Sequence, residues 1–483
     1  MRMEAAMQTE AWEQKNKKRM FYVIAFLSVA TVATYFINQY YIYIAAYTWF
    51  GVIYGMCLQY GRFCFSSAFR DLFAVGVPRM VVGIMIAMIF FAFVSSFVTA
   101  SKLSTFHAAP VGSFMIIAGF IFGVGMVFAG GCASGSLYKT GEGSGAAMLV
   151  LLSISITQSI FVAIRGNWVN KLVPQSWHDS AVAKNLPPQI KAGDGWMDQY
   201  LAGFVWNHPD ITFARMFGFA DESVTGAFIL NTFVGVILPA ALVLLWVYLV
   251  WVRKSFLKKR MAAGQVATGF GANLAGYWSM ITASKRTALA GLVLGIACGF
   301  HMFVMKGLQL RFGVHNFGEL MQRMDLTFGL TVKGTVFDPG YWYVTTQEAQ
   351  WVGWVVQKMG IENMDNIFFG LTNGIPNPLF NPADWMTIGL ILGASILALS
   401  ANEFKWKKPT MELAFWAILG GALMGIGSRL ALGCNVGGFL IRISNGNPAG
   451  WLFGIGMVGG AFLGVKIFNW YTERKMAKEM EAF

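Results

Sequence analysis

Apolar runs about as long as a bilayer is thick recur along this chain, at 21–38, 45–65, 77–99, 114–133, 144–164, 225–251, 287–305, 385–401, 412–433 and 449–471. A helix rises about 1.5 Å per residue, so roughly 20 apolar residues cross a hydrocarbon core of about 30 Å. Lipid offers no partner to a backbone N–H or C=O, and runs of this length therefore fold as helices. An all-α integral membrane protein of roughly ten helical spans is the fold class expected. The chain is 56% hydrophobic and only 12% charged over 483 residues, which sets it apart from soluble domains and makes lipid its solvent.

The net charge of +13 does not point to nucleic acid, because the basic residues cluster between apolar runs instead of lining one polar face. Lys15, Lys17, Lys18 and Arg19 precede the first run, and the positive-inside rule puts that end in the cytoplasm. Threading from there brings Arg62, Arg70 and Arg79, then Arg253, Lys254, Lys258, Lys259 and Arg260, then Lys405, Lys407, Lys408 and Arg474 to the same side. The expected setting is a prokaryotic inner (plasma) membrane, crossed many times, with both termini cytoplasmic. The first run lacks a small-x-small cleavage site and reads as a retained helix.

The layout that follows is a cytoplasmic segment 1–20, a first membrane half 21–251 with an outer insertion 165–224, and a basic linker 252–286. A second half 287–471 with an outer insertion 306–384 and a cytoplasmic tail 472–483 complete it. The insertions read equally as caps over an outer vestibule or as plain surface loops.

The two halves resemble each other. Gly123-Val-Gly125-Met-Val-Phe-Ala-Gly-Gly131-Cys132 aligns without a gap on Gly425-Ile-Gly427-Ser-Arg-Leu-Ala-Leu-Gly433-Cys434, and Gly51-Val-Ile-Tyr-Gly55 on Gly291-Leu-Val-Leu-Gly295. The matches fall on spans 2 and 7 and on spans 4 and 9. That offset of five is odd, so the halves are expected to be inverted, with a substrate site near the midplane where glycine-interrupted helices expose backbone groups.

The candidate site residues come from these interruptions. A break at Gly130-Gly131 or at Gly433 frees backbone groups that only a cavity can tolerate, and the segment after Cys132 or Cys434 would start a half-helix with its N–H groups aimed at an anion. Ser134 follows in the first copy. The competing reading is close helix packing, with cysteine as a small buried hydrophobe. Arg429, five residues before Cys434 in an apolar run, needs a partner: an anion, a carboxylate, free carbonyls, or the outer surface. Arg62, Cys64 and Ser66 suit an anion exit or a plain helix end. Cys57 and Cys64, seven apart, share a helix face if the span is continuous, and Lys139 and Glu142 are placed to pair with each other.

Other chemistry finds no support. The five cysteines, 57, 64, 132, 298 and 434, lie in or beside apolar runs and build no disulfide framework. The histidines at 107, 178, 208, 301 and 315 lack metal-ligand spacing, and His301-Met302 with Met305 reads as core filling before copper binding. No P-loop, HExxH or paired CxxC occurs. Neither a metal nor a cofactor is expected, nor is nucleic acid as a partner. No intramembrane acid stands out as a proton relay; Glu319, Asp325 and Asp338 fall in the second insertion.

Gly61-Arg62-Phe63-Cys64-Phe65 with Ala68-Phe69-Arg70-Asp71, Ala129-Gly130-Gly131-Cys132-Ala133-Ser134-Gly135, and Arg429-Leu430-Ala431-Leu432-Gly433-Cys434 together resemble the YeeE/YedE family of membrane proteins. The resemblance covers the membrane core and leaves out the two insertions. It implies an hourglass-like fold with loops dipping from both faces, import of thiosulfate or a related small sulfur-containing anion, and a path lined by Cys64, Cys132 and Cys434. A small cytoplasmic sulfur-carrier protein is the implied partner, and selenium compounds are alternative cargo. A membrane sulfurtransferase working through a cysteine persulfide, and a scaffold with protein-binding outer loops, are the rival readings from other classes.

Overall fold

The computed structural model describes residues 2–101, 111–163, 174–183, 185, 205–207, 212–219, 224–265, 268–314, 317–332, 342, 344–360, 371–372 and 374–481. The apolar runs are helical, as backbone pairing in lipid requires. In the first half α1 is Arg2–Ile37, α2 Ile42–Gly61, α3 Phe65–Val75, α4 Arg79–Ala100, α5 Ser113–Phe128, α6 Ala133–Gly141 and α7 Gly145–Ala163. One long helix, α8, runs Thr225–Ala262. Beyond it come α9 Phe270–Thr282, α10 Lys285–Phe312, α11 Phe317–Arg323, α12 Thr345–Lys358, α13 Pro382–Ser400 and α14 Met411–Leu430. The last elements are α15, wound in wide turns over Asn435–Ile441 and continued by Arg442–Ser444, and α16 Ala449–Glu481. Among the described residues 9 helical segments are long and apolar enough to cross a bilayer, and Gly145–Ser159 is a shorter apolar helix. These match the expected runs. Among the described residues strands amount to two short antiparallel pairs, Val111–Gly112 with Val205–Asn207 and Thr331–Val332 with Leu371–Thr372. His107, His208, His315, Asp338 and most of insertion 165–224 lie outside the described residues.

Glycines set how the helices meet. A Cβ at Gly51 would lie 2.2 Å from the Met386 carbonyl oxygen, one at Gly55 2.0 Å from that of Leu390, and one at Gly393 2.1 Å from that of Val52. Residue numbers rise together across this contact, so α2 and α13 are parallel. Gly291 on Gly83 and Gly295 on Ala87 join α10 to α4 the same way. Gly119 on Phe453 and Gly123 on Met457 join α5 to α16, and Gly421 on Val150 and Gly425 on Ile154 join α14 to α7. Such backbone-to-backbone approach is what small residues permit where lipid removes the hydrophobic drive for association.

Helices with matching sequence instead cross antiparallel. On α5 and α14, Gly125 meets Gly420 and Phe122 meets Gly427. On α2 and α10, Gly61 meets Ala290, and the Tyr54 hydroxyl lies 3.0 Å from His301 Nδ1. Exchanging α2, α4, α5 and α7 for α10, α13, α14 and α16 leaves this contact scheme unchanged, so the halves are inverted copies. The matched Gly51/Gly55 and Gly291/Gly295 therefore serve packing, as do Gly123 and Gly125. The breaks come later in each motif. The condition for Cys57 and Cys64 to share a helix face, a continuous span, is not met: α2 ends at Gly61 with Arg62 as its C-cap.

Candidate functional site

Three long helices end by the same device. At the close of α2, the Arg62 N–H donates to the Gln59 carbonyl (3.2 Å) and the Phe63 N–H to Leu58 (2.8 Å). At the close of α5, Gly130 donates to Val127 (3.0 Å) and Gly131 to Met126 (3.2 Å). At the close of α14, Leu432 donates to Arg429 (3.2 Å) and Gly433 to Ser428 (2.8 Å). Each is a Schellman turn, which needs one left-handed residue. Arg62 (φ 52°), Gly130 (φ 64°) and Leu432 (φ 54°) take that conformation, each two positions before a cysteine of the expected path. Gly130 takes it without strain; arginine and leucine do so against their Cβ.

The carbonyls left over at these ends are held by cations. Lys139 Nζ donates to the Gly130 carbonyl at 2.5 Å. Arg442 donates to the Ala431 carbonyl at 2.7 Å and to Leu432 at 3.0 Å. Arg286 donates to the Tyr60 carbonyl. The fourth broken end, α10 at Gly313 (φ 63°), has Arg323 at 3.4 Å from its carbonyl. Lys139 is thus not the partner of Glu142.

Past each turn the chain restarts as a short helix with a cysteine at its N-cap. Cys132 caps α6 and Cys434 caps α15 through their sulfurs, Cys64 holds the N-cap position of α3 without a side-chain capping bond, and all are buried free thiols. The Gly135 N–H donates to Cys132 Sγ at 3.3 Å and the Val436 N–H to Cys434 Sγ at 3.4 Å. Cys64 Sγ and Cys132 Sγ are 3.8 Å apart. Ser134 Oγ lies 3.5 Å from Cys132 Sγ and accepts from Asn435 Nδ2 at 3.3 Å, joining the first-half thiols to the residue after Cys434. Three helix N-termini, two from one half and one from the inverted half, therefore converge on one polar thread inside an apolar bundle. Their dipoles present positive ends there, worth more in a dry interior than the usual 0.3–1 kcal/mol or so each at a surface.

The glycines of the motifs keep this centre tight. A Cβ on Gly135 would lie 2.6 Å from Cys64 Sγ and 3.1 Å from Cys132 Sγ, and one on Gly433 would lie 2.6 Å from the Gly438 nitrogen. One on Gly131 would sit 3.3 Å from Ser136 Oγ. Gly437, by contrast, borders open space beside Cys434.

The remaining expected residues hold supporting places. Ser66 Oγ donates to the Met126 carbonyl at 2.7 Å, tying α3 to the end of α5. Arg62 bridges Glu142 at 2.5 Å and Glu403 at 2.6 Å, and Gln59 also donates to Glu403 at 3.1 Å. That ion cluster stitches the two halves together at the face carrying the basic residues. Arg429 is buried, with Nε donating to Gln158 at 2.9 Å and its terminal nitrogen 3.4 Å from Thr346 Oγ1. Sequence reading missed Gln158, Asn435, Glu403 and the capping role of Arg442. Gln158 was detectable as an amide in the middle of the run 144–164.

A multi-pass membrane protein built from inverted halves, with helix breaks meeting at buried thiols, is the class this geometry defines. A family model for sulphur transport matches residues 60–307 and 219–463, and the chain belongs to that family, the YeeE/YedE proteins. It is 27% identical over 418 residues to the thiosulfate transporter TsuA of Spirochaeta thermophila, covering 84% of this chain and 93% of the relative. Against TsuA of Escherichia coli identity is 24% over 426 residues, covering 87% and 92%. The probable transporter YedE of Escherichia coli is 31% identical over 140 residues, 29% of this chain and 33% of that one. These relatives support transport of a sulfur compound as the activity.

Proposed function

We propose that the chain imports thiosulfate or a related small sulfur-containing anion, intact, along a path lined by Cys434, Cys132 and Cys64. The observation that carries this reading is the meeting of three helix N-termini from opposite halves, each with a cysteine at its N-cap position. An anion at such a centre receives backbone N–H groups and weak S–H donors, and gives up its hydration in steps. Several weak sites in series let an ion leave as readily as it enters. The face bearing Arg62, Arg253–Arg260 and Lys405–Lys408 is cytoplasmic on this reading, in a prokaryotic inner membrane, and a small sulfur-carrier protein would receive the cargo there.

Uptake of thiosulfate labelled separately on each sulfur, into proteoliposomes, tests the proposal against sulfur transfer. Intact import carries both labels inward in equal amounts and leaves no modified cysteine. Entry of one label, with a persulfide found on Cys64, Cys132 or Cys434 by mass spectrometry, would instead make the chain a sulfurtransferase.

A further inference from the structure

The insertion 306–384 sends one helix into the bundle. α12 packs along α7, where Ser159 Oγ donates to the Ala349 carbonyl at 2.7 Å. Its first turn is aimed at the path. Thr346 in that turn accepts from Arg429, which lies five residues before Cys434.

One turn further on stands Glu348, 4% exposed and near enough to Cys434 for its charge to be felt there. Neither of its carboxylate oxygens has a hydrogen-bond partner among the described residues, and the same holds for both amide atoms of Gln347 beside it. Arg429 spends donors on Gln158 and Thr346 and makes no ion pair with Glu348. A buried carboxylate with no donor costs several kcal/mol, roughly, and escapes the cost by holding a proton. Burial accordingly pushes the Glu348 carboxyl well above the usual carboxylate range. Among the elements packed against α12, α7 carries no charged side chain and α13 carries the buried Asp384; Arg429 of α14 donates to Thr346, two residues before Glu348, and the Glu348 charge acts on Cys434. The helix α13 is tied to α12 through Asn381 and Gln350 at 2.7 Å.

We propose that Glu348 is the proton-binding group of the anion site, protonated while an anion is bound at Cys434 and repelling that anion once ionised. The inference rests on the transport reading above. A protonated carboxyl offers one O–H donor to the anion, whereas a carboxylate is a second negative charge in a dry site. Proton and anion then bind together, and each raises the affinity for the other by the same factor.

Labelled thiosulfate uptake by proteoliposomes, measured against external pH for the native chain, Glu348→Gln and Glu348→Asp, reads this linkage. In the native chain KM rises with pH, approaching about tenfold per pH unit once the proton is lost. Glu348→Gln transports with a KM that stays flat, because the amide keeps a donor and cannot ionise, and Glu348→Asp keeps the pH dependence. Infrared spectroscopy supplies a readout independent of cargo: the carbonyl stretch of a protonated carboxylic acid, present in the native protein at neutral pH and weaker in Glu348→Gln. A flat KM in the native chain, an unchanged pH profile in Glu348→Gln, or no difference in the infrared band between the two would overturn the proposal. Absent thiosulfate uptake at every pH would sink the transport reading instead, with the infrared band still deciding whether Glu348 holds a proton.

Discussion

Cys64 and Cys132, 68 residues apart in the chain, hold their sulfurs 3.8 Å apart. Gly135 is why they can: the first turn of α6 passes so close that any side chain there would strike both thiols. Gly135→Ala should displace them, cost about 1–3 kcal/mol of stability through overpacking, and depress uptake. Thermal unfolding in detergent and initial uptake rates check the two parts separately.

Arg442 and Lys139 do the same work in opposite halves, each reaching back to the last carbonyls of a broken helix. Arg442→Met strips two charge-assisted hydrogen bonds from buried carbonyls and should cost about 1.5–3 kcal/mol. Arg442→Lys should recover part of that, since a lysine suffices at Gly130. The midpoint of thermal unfolding orders the three proteins: native, then lysine, then methionine.

Much of this arrangement was legible in the chain itself. Hydropathy over about 20 residues reports burial in lipid directly, so the spans emerged, and glycine clusters ending in Cys132 and Cys434 marked two breaks. Side-chain pairings were not legible, because they depend on which carbonyls and carboxylates a fold leaves free. Lys139 and Glu142 look like partners three residues apart, yet one turns to Gly130 and the other to Arg62. Gly55 and Gly131 are both motif glycines, and only the packed structure separates the one that meets a carbonyl on α13 from the one beside the break. The insertion 306–384 is rich in Trp, Asn, Gly and Pro with few long apolar runs, which hid the helix that carries Glu348.

Arg429 holds fixed geometry through Gln158 and Thr346 as well as charge. Arg429→Met should raise KM for the anion more than tenfold or so, the loss of a charged hydrogen bond being worth about 1.5–3 kcal/mol. Arg429→Lys keeps the charge without the planar fork and should fall between. Saturation curves for the three proteins, with folding verified by size-exclusion profile, give the test.

The ion cluster of Arg62 should matter little to stability. Its guanidinium side chain is 42% exposed and Glu403 is 37% exposed, a setting where ion pairs are worth about 0–1 kcal/mol. Arg62→Gln also strips the partner from Glu142, which is 17% exposed, and is expected to shift the unfolding free energy by less than about 2 kcal/mol, about 1 for each pair. A larger loss would mean that the cluster, and not the glycine contacts, holds the halves together.

The central claim is that the three N-cap thiols touch the cargo, and uptake by single cysteine variants tests it most directly. Cys132→Ala and Cys434→Ala should abolish or severely reduce saturable thiosulfate entry, while Cys57→Ala and Cys298→Ala, which alter thiols on α2 and α10 away from the breaks, leave it near the native rate. Undiminished entry in both Cys132→Ala and Cys434→Ala, in protein that remains folded, would contradict the account.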